Sequence, residues 1–285
     1  MKPPLFSVLP RPTHPTRDGL AIRNYHLLAA LSGVFDVRAF VLRAPHLPAG
    51  EYPPGVVVRE FPQRSRAVRR LASAAASVFT GGAYSPRLYR SRALARALRA
   101  EAAELPVPPA WVVAHAYHVG PLALAAGPPV WIDFHNLDSQ IWRRMGETAS
   151  SSAARWFAGR QAPRVRDFER RLLLAARGVS CVSEPDAAEM RKLAPAASPL
   201  VVPNGVDLER YRFRGRAAPD GGVLFVGDLT WAPNAEGLAW LAERVSPLVR
   251  ASRPDLTVEV LGRGAARDLV RRARGFTFLG EGGDT

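Results

Sequence analysis

The residues of this chain best suited to chemistry fall where short apolar runs end. His135 and Asn136 follow VWIDF, with Asp133 just inside the run, and His115 and His118 follow WVVA. Asp18 and Gly19 close the loop PRPTHPTRDG that follows FSVL, and Asn204 and Gly205 follow PLVV. Gly227 and Asp228 follow VLFV; Gly262, Arg263 and Gly264 follow LTVEVL. Glycine in a strand-to-helix turn lets backbone N–H groups and a helix N-terminus approach an anion, phosphate above all. Any one of these glycines can equally be there for the turn alone. A histidine at a strand end can orient a bound group, or can simply be a satisfied polar side chain. His115 and His118 have a spacing that would suit a metal pair, but no third ligand stands near them, so no metal site is expected.

The runs themselves say what must position these residues. WVVA and SCV are apolar on both faces, as strands of a parallel sheet covered by helices on both sides must be. The order is strand and helix alternating: FSVL, a helix from Leu20 to Ser32 with Leu20, Leu27, Leu28 and Leu31 on one face, then VRAFVL, VVVREF and a long arginine-rich helical region. WVVAH, a short helix, VWIDF, two helices, GVSCV, a helix from Pro185 and PLVV complete the series. Pro203-Asn204-Gly205 then breaks the chain. The rhythm restarts with VLFVG, a helix from Asn234 to Ala251, LTVEVLG, a helix from Ala265 to Arg274, and FTFLG. Two Rossmann-like domains are expected, residues 1–205 and the opening of a second over 206–285. In an open α/β sheet ligands bind outside the carboxyl ends of the strands. The glycine turns on both sides of the joint therefore point to a cleft holding a nucleotide diphosphate. With three strands after the joint, VLFVG is a bare apolar edge. The second part is read as an incomplete domain, the other possibility being a small three-stranded appendage.

Bulk properties exclude several classes. Among 285 residues, 47% are hydrophobic and 22% charged, the balance of a globular chain. The single cysteine, Cys181, lies in an apolar run, is read as buried, and fits a reducing, cytoplasmic setting. MKPPLFSVLP is too short and proline-broken for a signal peptide. No charge occurs between Leu105 and Ile132, but Pro108, Pro109, Pro121, Pro128 and Pro129 rule out a spanning helix there. The net charge is +14, carried by 37 arginines and two lysines, Lys2 and Lys192. Arg64 to Arg99 contains nine arginines and no acid, with Val68, Leu71, Val78 and Phe79 at helical spacing. That pattern reads either as an amphipathic basic helix for an anionic membrane surface at the inner face, or as the solvated face of an ordinary helix. No basic stripe interleaved with aromatics and no zinc pattern is present, so nucleic acid is not an expected partner.

The order IDFHN, SCVSEPDAAEM, VVPNGVDLERY and VLFVGDLTWAPNAEGL resembles a family 4 glycosyltransferase of the GT-B fold, over nearly the whole chain. The resemblance implies α/β architecture of two Rossmann-like domains and retaining transfer from a nucleotide-sugar donor to a glycan or lipid-linked acceptor. It implies no metal or other cofactor, and a role in exopolysaccharide or glycoconjugate synthesis. By resemblance, His135 faces the sugar and acceptor as the catalytic-centre histidine. Gly19, Gly205, Gly227, Asp228, Asn234 and Gly262 lie on the donor phosphates and nucleoside. Asp18, His118 and Asn136 lie on the acceptor side. Two departures stand out. Where many relatives have Gly-Arg and a later lysine at the diphosphate, this chain has Gly227-Asp228 and Asn234, in a W-x-P-N motif that resembles a subgroup. The family's Glu-x7-Glu pair is not found; Glu236 and Glu243 are read as solvent-facing, and the chain stops where roughly a hundred more residues are expected. Two other readings stay open: a catalytically incomplete acceptor- or partner-binding chain, and a dinucleotide enzyme. VLGRGAARD matches a dinucleotide fingerprint poorly because Arg267 takes the third glycine's place.

Overall fold

A computed structural model describes residues 2–14, 18–45, 50–149, 151–209, 211–212, 215 and 222–281. The chain divides into two compact units, Met1–Val206 and Asp207–Thr285. Unit 1 opens with β1 (Pro4–Leu9), α1 (Gly19–Val34), β2 (Asp36–Arg43) and β3 (Val57–Pro62). The arginine-rich region resolves into three helices, α2 (Arg66–Thr80), α3 (Tyr84–Arg87) and α4 (Arg92–Glu104). Then come β4 (Trp111–Ala114), a 3-10 turn (Tyr117–Val119), α5 (Gly120–Leu124), β5 (Val130–Phe134), α6 (Asp138–Thr148) and α7 (Ser152–Ala175). β6 (Gly178–Cys181), α8 (Glu184–Leu193) and the short β7 (Leu200–Val201) complete it.

The seven strands are parallel in the order β3-β2-β1-β4-β5-β6-β7, so the chain reverses direction across the sheet at β1. Alternation along β1 divides the core. Phe6 and Val8 point to one face, packed with Phe40, Val112, Ile132 and the helices carrying Leu94, Leu98, Leu172 and Met190. Leu5 and Leu9 point to the other face, with Val37, Val41 and Leu28 of α1. Cys181 is buried in the first of these layers. Serine side chains at 65, 91, 151 and 183 accept an amide bond at the starts of α2, α4, α7 and α8, each cap worth about 1 kcal/mol. The inner face of α1 differs from the leucine stripe expected of it. Ala21, Arg23, Asn24 and Leu28 are buried, and Leu28 is the only one of the four leucines so enclosed.

Unit 2 comprises β8 (Val223–Val226), α9 (Ala232–Trp240), a π-helical turn (Leu241–Val245) and α10 (Ser246–Ser252). β9 (Val258–Leu261), α11 (Arg267–Arg272) and β10 (Thr277–Gly280) follow. Its parallel sheet runs β10-β9-β8 over a small core of Leu229, Leu238, Val260 and Leu269. The single helix expected over 234–251 is interrupted. Pro247 has no N–H to give and its ring would crowd the carbonyl four residues back, at Glu243, and the helix widens at that point. β8 is an edge strand whose Leu224 and Val226 are exposed. Among the described residues no helix is long and apolar enough to cross a membrane.

Candidate functional site

At the carboxyl edge of the unit 1 sheet lies a buried ionic group that spans the chain. Arg23, from the second turn of α1, makes a fork onto Asp133 of β5, with Nε and Nη2 each 2.8 Å from a carboxylate oxygen. Its remaining nitrogen, Nη1, donates to Asn204 Oδ1 at 3.1 Å and to the Pro203 carbonyl at 3.4 Å. Ser180 Oγ on β6 donates to Asp133 at 2.6 Å and itself accepts from Trp131 Nε1. Burial alone would raise the Asp133 pKa; the bonds from Arg23 and Ser180, with the His135 imidazole close by, outweigh it and hold the carboxyl well below the usual range. The site therefore carries a fixed anion whose charge is shared.

His135 stands one step beyond β5, with Nε2 3.2 Å from Asp133 Oδ2 but off the line of a hydrogen bond. The imidazole is held beside a carboxylate with that nitrogen still able to serve another partner. Asn136 beside it is exposed. His115 is fully enclosed, its Nε2 3.2 Å from Ser7 Oγ, and burial lowers its pKa to about 4, so it is neutral at pH 7. A cavity of about 330 Å3 reaches this group from the α1 side, lined by Leu27, Trp131, His115, Asp133 and Ser180.

A second cluster adjoins the first. Asp138, at the start of α6, accepts from the Tyr117 hydroxyl at 2.8 Å, and His118 Nε2 lies 3.2 Å from the same oxygen. Burial would raise Asp138; His118 and Tyr117, with His135 further off, bring it below its ordinary value. Ala116, between the two histidines, has φ 149° and ψ 148°, a region that favours glycine. That strained residue turns His118 towards Asp138 while His115 keeps to Ser7; the two histidines thus serve different partners. Behind them Glu169 of α7 is buried, accepting from Ser139 N at 3.2 Å and Oγ at 2.5 Å, and desolvation pushes its pKa up to about 7.

Asp18 caps α1, accepting from Ala21 N at 3.1 Å, and pairs with Arg11. The first-turn amides, at Gly19 and Leu20, have no helical partner of their own, and Arg11 offsets the carboxylate that would repel an anion there. At Gly19 and Gly205 a Cβ would meet nothing within 4 Å and neither φ is positive. Among the described residues nothing requires glycine at either position.

Unit 2 makes its own strand-end cluster. The loops after β8 and β9 touch backbone to backbone: a Cβ on Gly262 would stand 1.8 Å from the Gly227 carbonyl oxygen, and one on Gly264 2.2 Å from Thr230 Cγ2. Asn234 Nδ2 donates to the Asp228 carbonyl at 3.0 Å, tying the turn Asp228–Trp231 to α9. Arg263 forks onto Asp228 Oδ2, at 3.0 and 2.7 Å, and that contact with the Thr230 bonds pulls the Asp228 pKa down to about 2. The strand-end cation of this unit is thus Arg263, one loop away from the position where the resemblance leads one to look. Arg263 was among the strand-end residues read from the sequence, without a role assigned to it; Arg23, Asp138 and Glu169 were outside that reading. Asp138 alone had a local signal, an acid in the first turn of a helix directly after His135 and Asn136.

Residues 17–210 match the sequence profile of Glycosyltransferase Family 4. No curated protein matches in sequence. Among solved structures, the α,α-trehalose-phosphate synthase (UDP-forming) from Burkholderia vietnamiensis is similar with a TM-score of 0.56 at 15% identity, over 100% of this chain and 74% of that one. Phytolacca americana UGT2, solved with UDP-2-fluoro-glucose and pterostilbene, gives 0.51 at 13% identity over 100% and 72%. Medicago truncatula UGT71G1, solved with UDP-glucose, gives 0.53 at 11% identity over 98% and 72%. At such identities the likeness is one of fold, and the fold is α/β of the GT-B type.

Proposed function

Since the chain belongs to glycosyltransferase family 4, we propose that it moves a sugar from a nucleoside-diphosphate donor to a glycan or lipid-linked acceptor. Transfer proceeds with retention, in exopolysaccharide or other glycoconjugate assembly, on the cytoplasmic side of the membrane. The observation that carries the reading is the buried Arg23–Asp133–His135 group at the carboxyl edge of a parallel sheet, beside the free amides that open α1. UDP-sugars in two of the similar solved structures support a nucleotide-sugar donor.

In this reading Asp133 fixes the imidazole of His135, which orients the sugar and acceptor hydroxyl and takes no proton as a base. Asp18, His118 and Asn136 face the acceptor. Gly19 and Gly205 leave room for the donor to approach backbone. Gly227, Gly262 and the turn held by Asn234 face the nucleotide, and Arg263, kept extended by Asp228, supplies the cation for the leaving diphosphate. The W-x-P-N turn is the mark of a subgroup that has moved this cation from the β8 loop to the β9 loop. Amides and arginine carry the charge, so the reaction needs no metal.

A second reading, a chain that binds acceptor or partner without turnover, is favoured by Glu236 and Glu243: the first faces solvent and the second is taken up by Arg272 at 2.6 Å. Calorimetric titration with UDP, GDP and NAD, followed by assay of nucleoside diphosphate released from UDP- and GDP-sugars, separates the readings. Binding of a nucleoside diphosphate with release is the expected result. Binding without release moves the second reading ahead, and binding of NAD alone sinks both.

A further inference from the structure

At the carboxyl edge of unit 1 the charges do not balance. Two cations are answered: Arg11 pairs with Asp18, and His118 lies 3.2 Å from Asp138, which also accepts from Tyr117. Arg66 and Arg69, at the start of α2, make no ion pair among the described residues. At 100° per residue they share a face with Ser73 and Ser77, the two buried residues of α2. Val68, Leu71, Val78 and Phe79 lie on the other side and are exposed. The inner face is pinned, since Ser77 Oγ accepts from Gln161 Nε2 at 2.8 Å and Arg164 Nη1 donates to the Ser77 carbonyl at 2.9 Å. Arg69 is fixed as well, its Nη1 donating to the Leu88 carbonyl at 2.7 Å and its Nε to the Arg64 carbonyl at 3.1 Å. Both acceptors are neutral, so the guanidinium is held in place with its charge unspent. Burial first, and then Arg66, lower its pKa: the two like charges stand near enough to oppose each other.

Next to Leu88 comes Tyr89, its ring centroid 4.7 Å from that of His118, which is 4.0 Å from that of Tyr117. The Tyr89 hydroxyl makes no hydrogen bond among the described residues. Burial raises its pKa, and the charges that act on it are Arg11, Asp138, Arg69 and Arg66. An unpartnered hydroxyl and two uncompensated guanidinium groups thus gather beside the His118–Asp138 pair. We propose that Arg66, Arg69 and Tyr89 bind the phosphate of a phosphorylated acceptor. A phosphate monoester carries about two negative charges at pH 7, which two arginines match, and its oxygens accept from a guanidinium fork and a phenol hydroxyl alike. A carboxylate would leave one arginine unanswered. The donor diphosphate has the same chemistry, but the reading above gives it the opening amides of α1 and Arg263. The site stands without the transfer reaction; that its phosphate belongs to an acceptor rests on the proposed function.

Titration of inorganic phosphate into the full chain, followed by phosphorus NMR with and without saturating UDP, tests the proposal. Phosphate binds in the presence of UDP. Arg66→Gln weakens that binding by on the order of tenfold and Tyr89→Phe by about fivefold. Arg66 is exposed and the Tyr89 hydroxyl is unbonded, so both variants keep the far-UV dichroism of the wild type. Arg143→Gln with Arg166→Gln, which removes two exposed arginines from α6 and α7, leaves phosphate binding unchanged. A wild type that takes up no phosphate at millimolar concentration overturns the proposal. So does an equal loss in the Arg143 and Arg166 variant, which would mark a generally basic surface. Phosphate that UDP displaces, with Arg66→Gln weakening UDP to the same extent, assigns the site to the donor and also overturns it. Phosphate binding lost in the Arg66 and Tyr89 variants of a chain that ignores UDP upholds the site and removes the transfer reading instead.

Discussion

Asp133→Asn removes one negative charge from the centre of unit 1 while keeping the size of the side chain and one acceptor oxygen. The Arg23 side chain is 5% exposed and that of Asp133 3%, so water cannot replace the lost charge. Arg23 keeps Asn204 and the Pro203 carbonyl, both neutral. Leaving a buried guanidinium without its counter-ion costs about 3–5 kcal/mol. Urea unfolding of the full chain by far-UV dichroism measures the loss as an earlier transition of unit 1; two units need not unfold together, so each transition is fitted separately. The pH dependence adds a second constraint. Because the folded pKa of Asp133 is depressed, its contribution is present above the unfolded value, about 4, and fades as pH falls towards the folded one. The gap between wild type and variant is full at neutral pH and narrows below about pH 4. A gap under about 1 kcal/mol at pH 7, the scale of an exposed pair, refutes the buried-pair reasoning, as does a gap that widens in acid.

Glu169 has the opposite sign: its folded pKa is raised, so its carboxyl destabilises the fold as pH climbs from the unfolded value to about 7. Glu169→Gln leaves the melting temperature nearly unchanged at pH 5 and raises it at pH 8, by about 1–3 kcal/mol of stability; a lower value at pH 8 contradicts this. Gly262→Ala drives a methyl group into the Gly227 carbonyl and destabilises unit 2 by about 2 kcal/mol or more, read by limited proteolysis and urea unfolding. Gly19→Ala and Gly205→Ala meet open space and keep stability within about 0.5 kcal/mol, so any loss of nucleotide affinity in calorimetry reports ligand approach. Arg263→Gln weakens nucleoside diphosphate binding by on the order of tenfold and Asp228→Asn does not; equal losses remove Arg263 from its role. Ala116→Gly relieves a φ of 149° and raises unit 1 stability by about 1 kcal/mol, whereas a drop shows the backbone there to be unstrained.

The sheet was legible because strands buried on both faces leave uninterrupted apolar runs, and WVVA, VWIDF and GVSCV are such runs. The break at Pro203-Asn204-Gly205 was legible for a local reason, the conformational habits of three adjacent residues. Arg23 was not, being one of 37 arginines with its partners 110 and 181 residues further on. Glu169 likewise looks like any acid on a long charged helix until Ser139 and Asp138 close over it. For α2 the sequence disclosed two faces but could not say which one turns inward. That choice is made by Gln161 and Arg164, more than eighty residues away. The break in the α9–α10 stretch could have been found, since Pro247 stands in the sequence at the point where the helical register widens.

The ties from Arg23 also bear on descent. Lysine at 23 would offer one point charge in place of a planar fork, and Asp133 and Asn204 could not both be answered. Drift between the two basic residues is therefore closed at this position, even if it is free over much of the basic surface. Among descendants of this chain, positions 23, 133 and 204 are expected to change together or not at all, so that three sites far apart in the gene are inherited as one character.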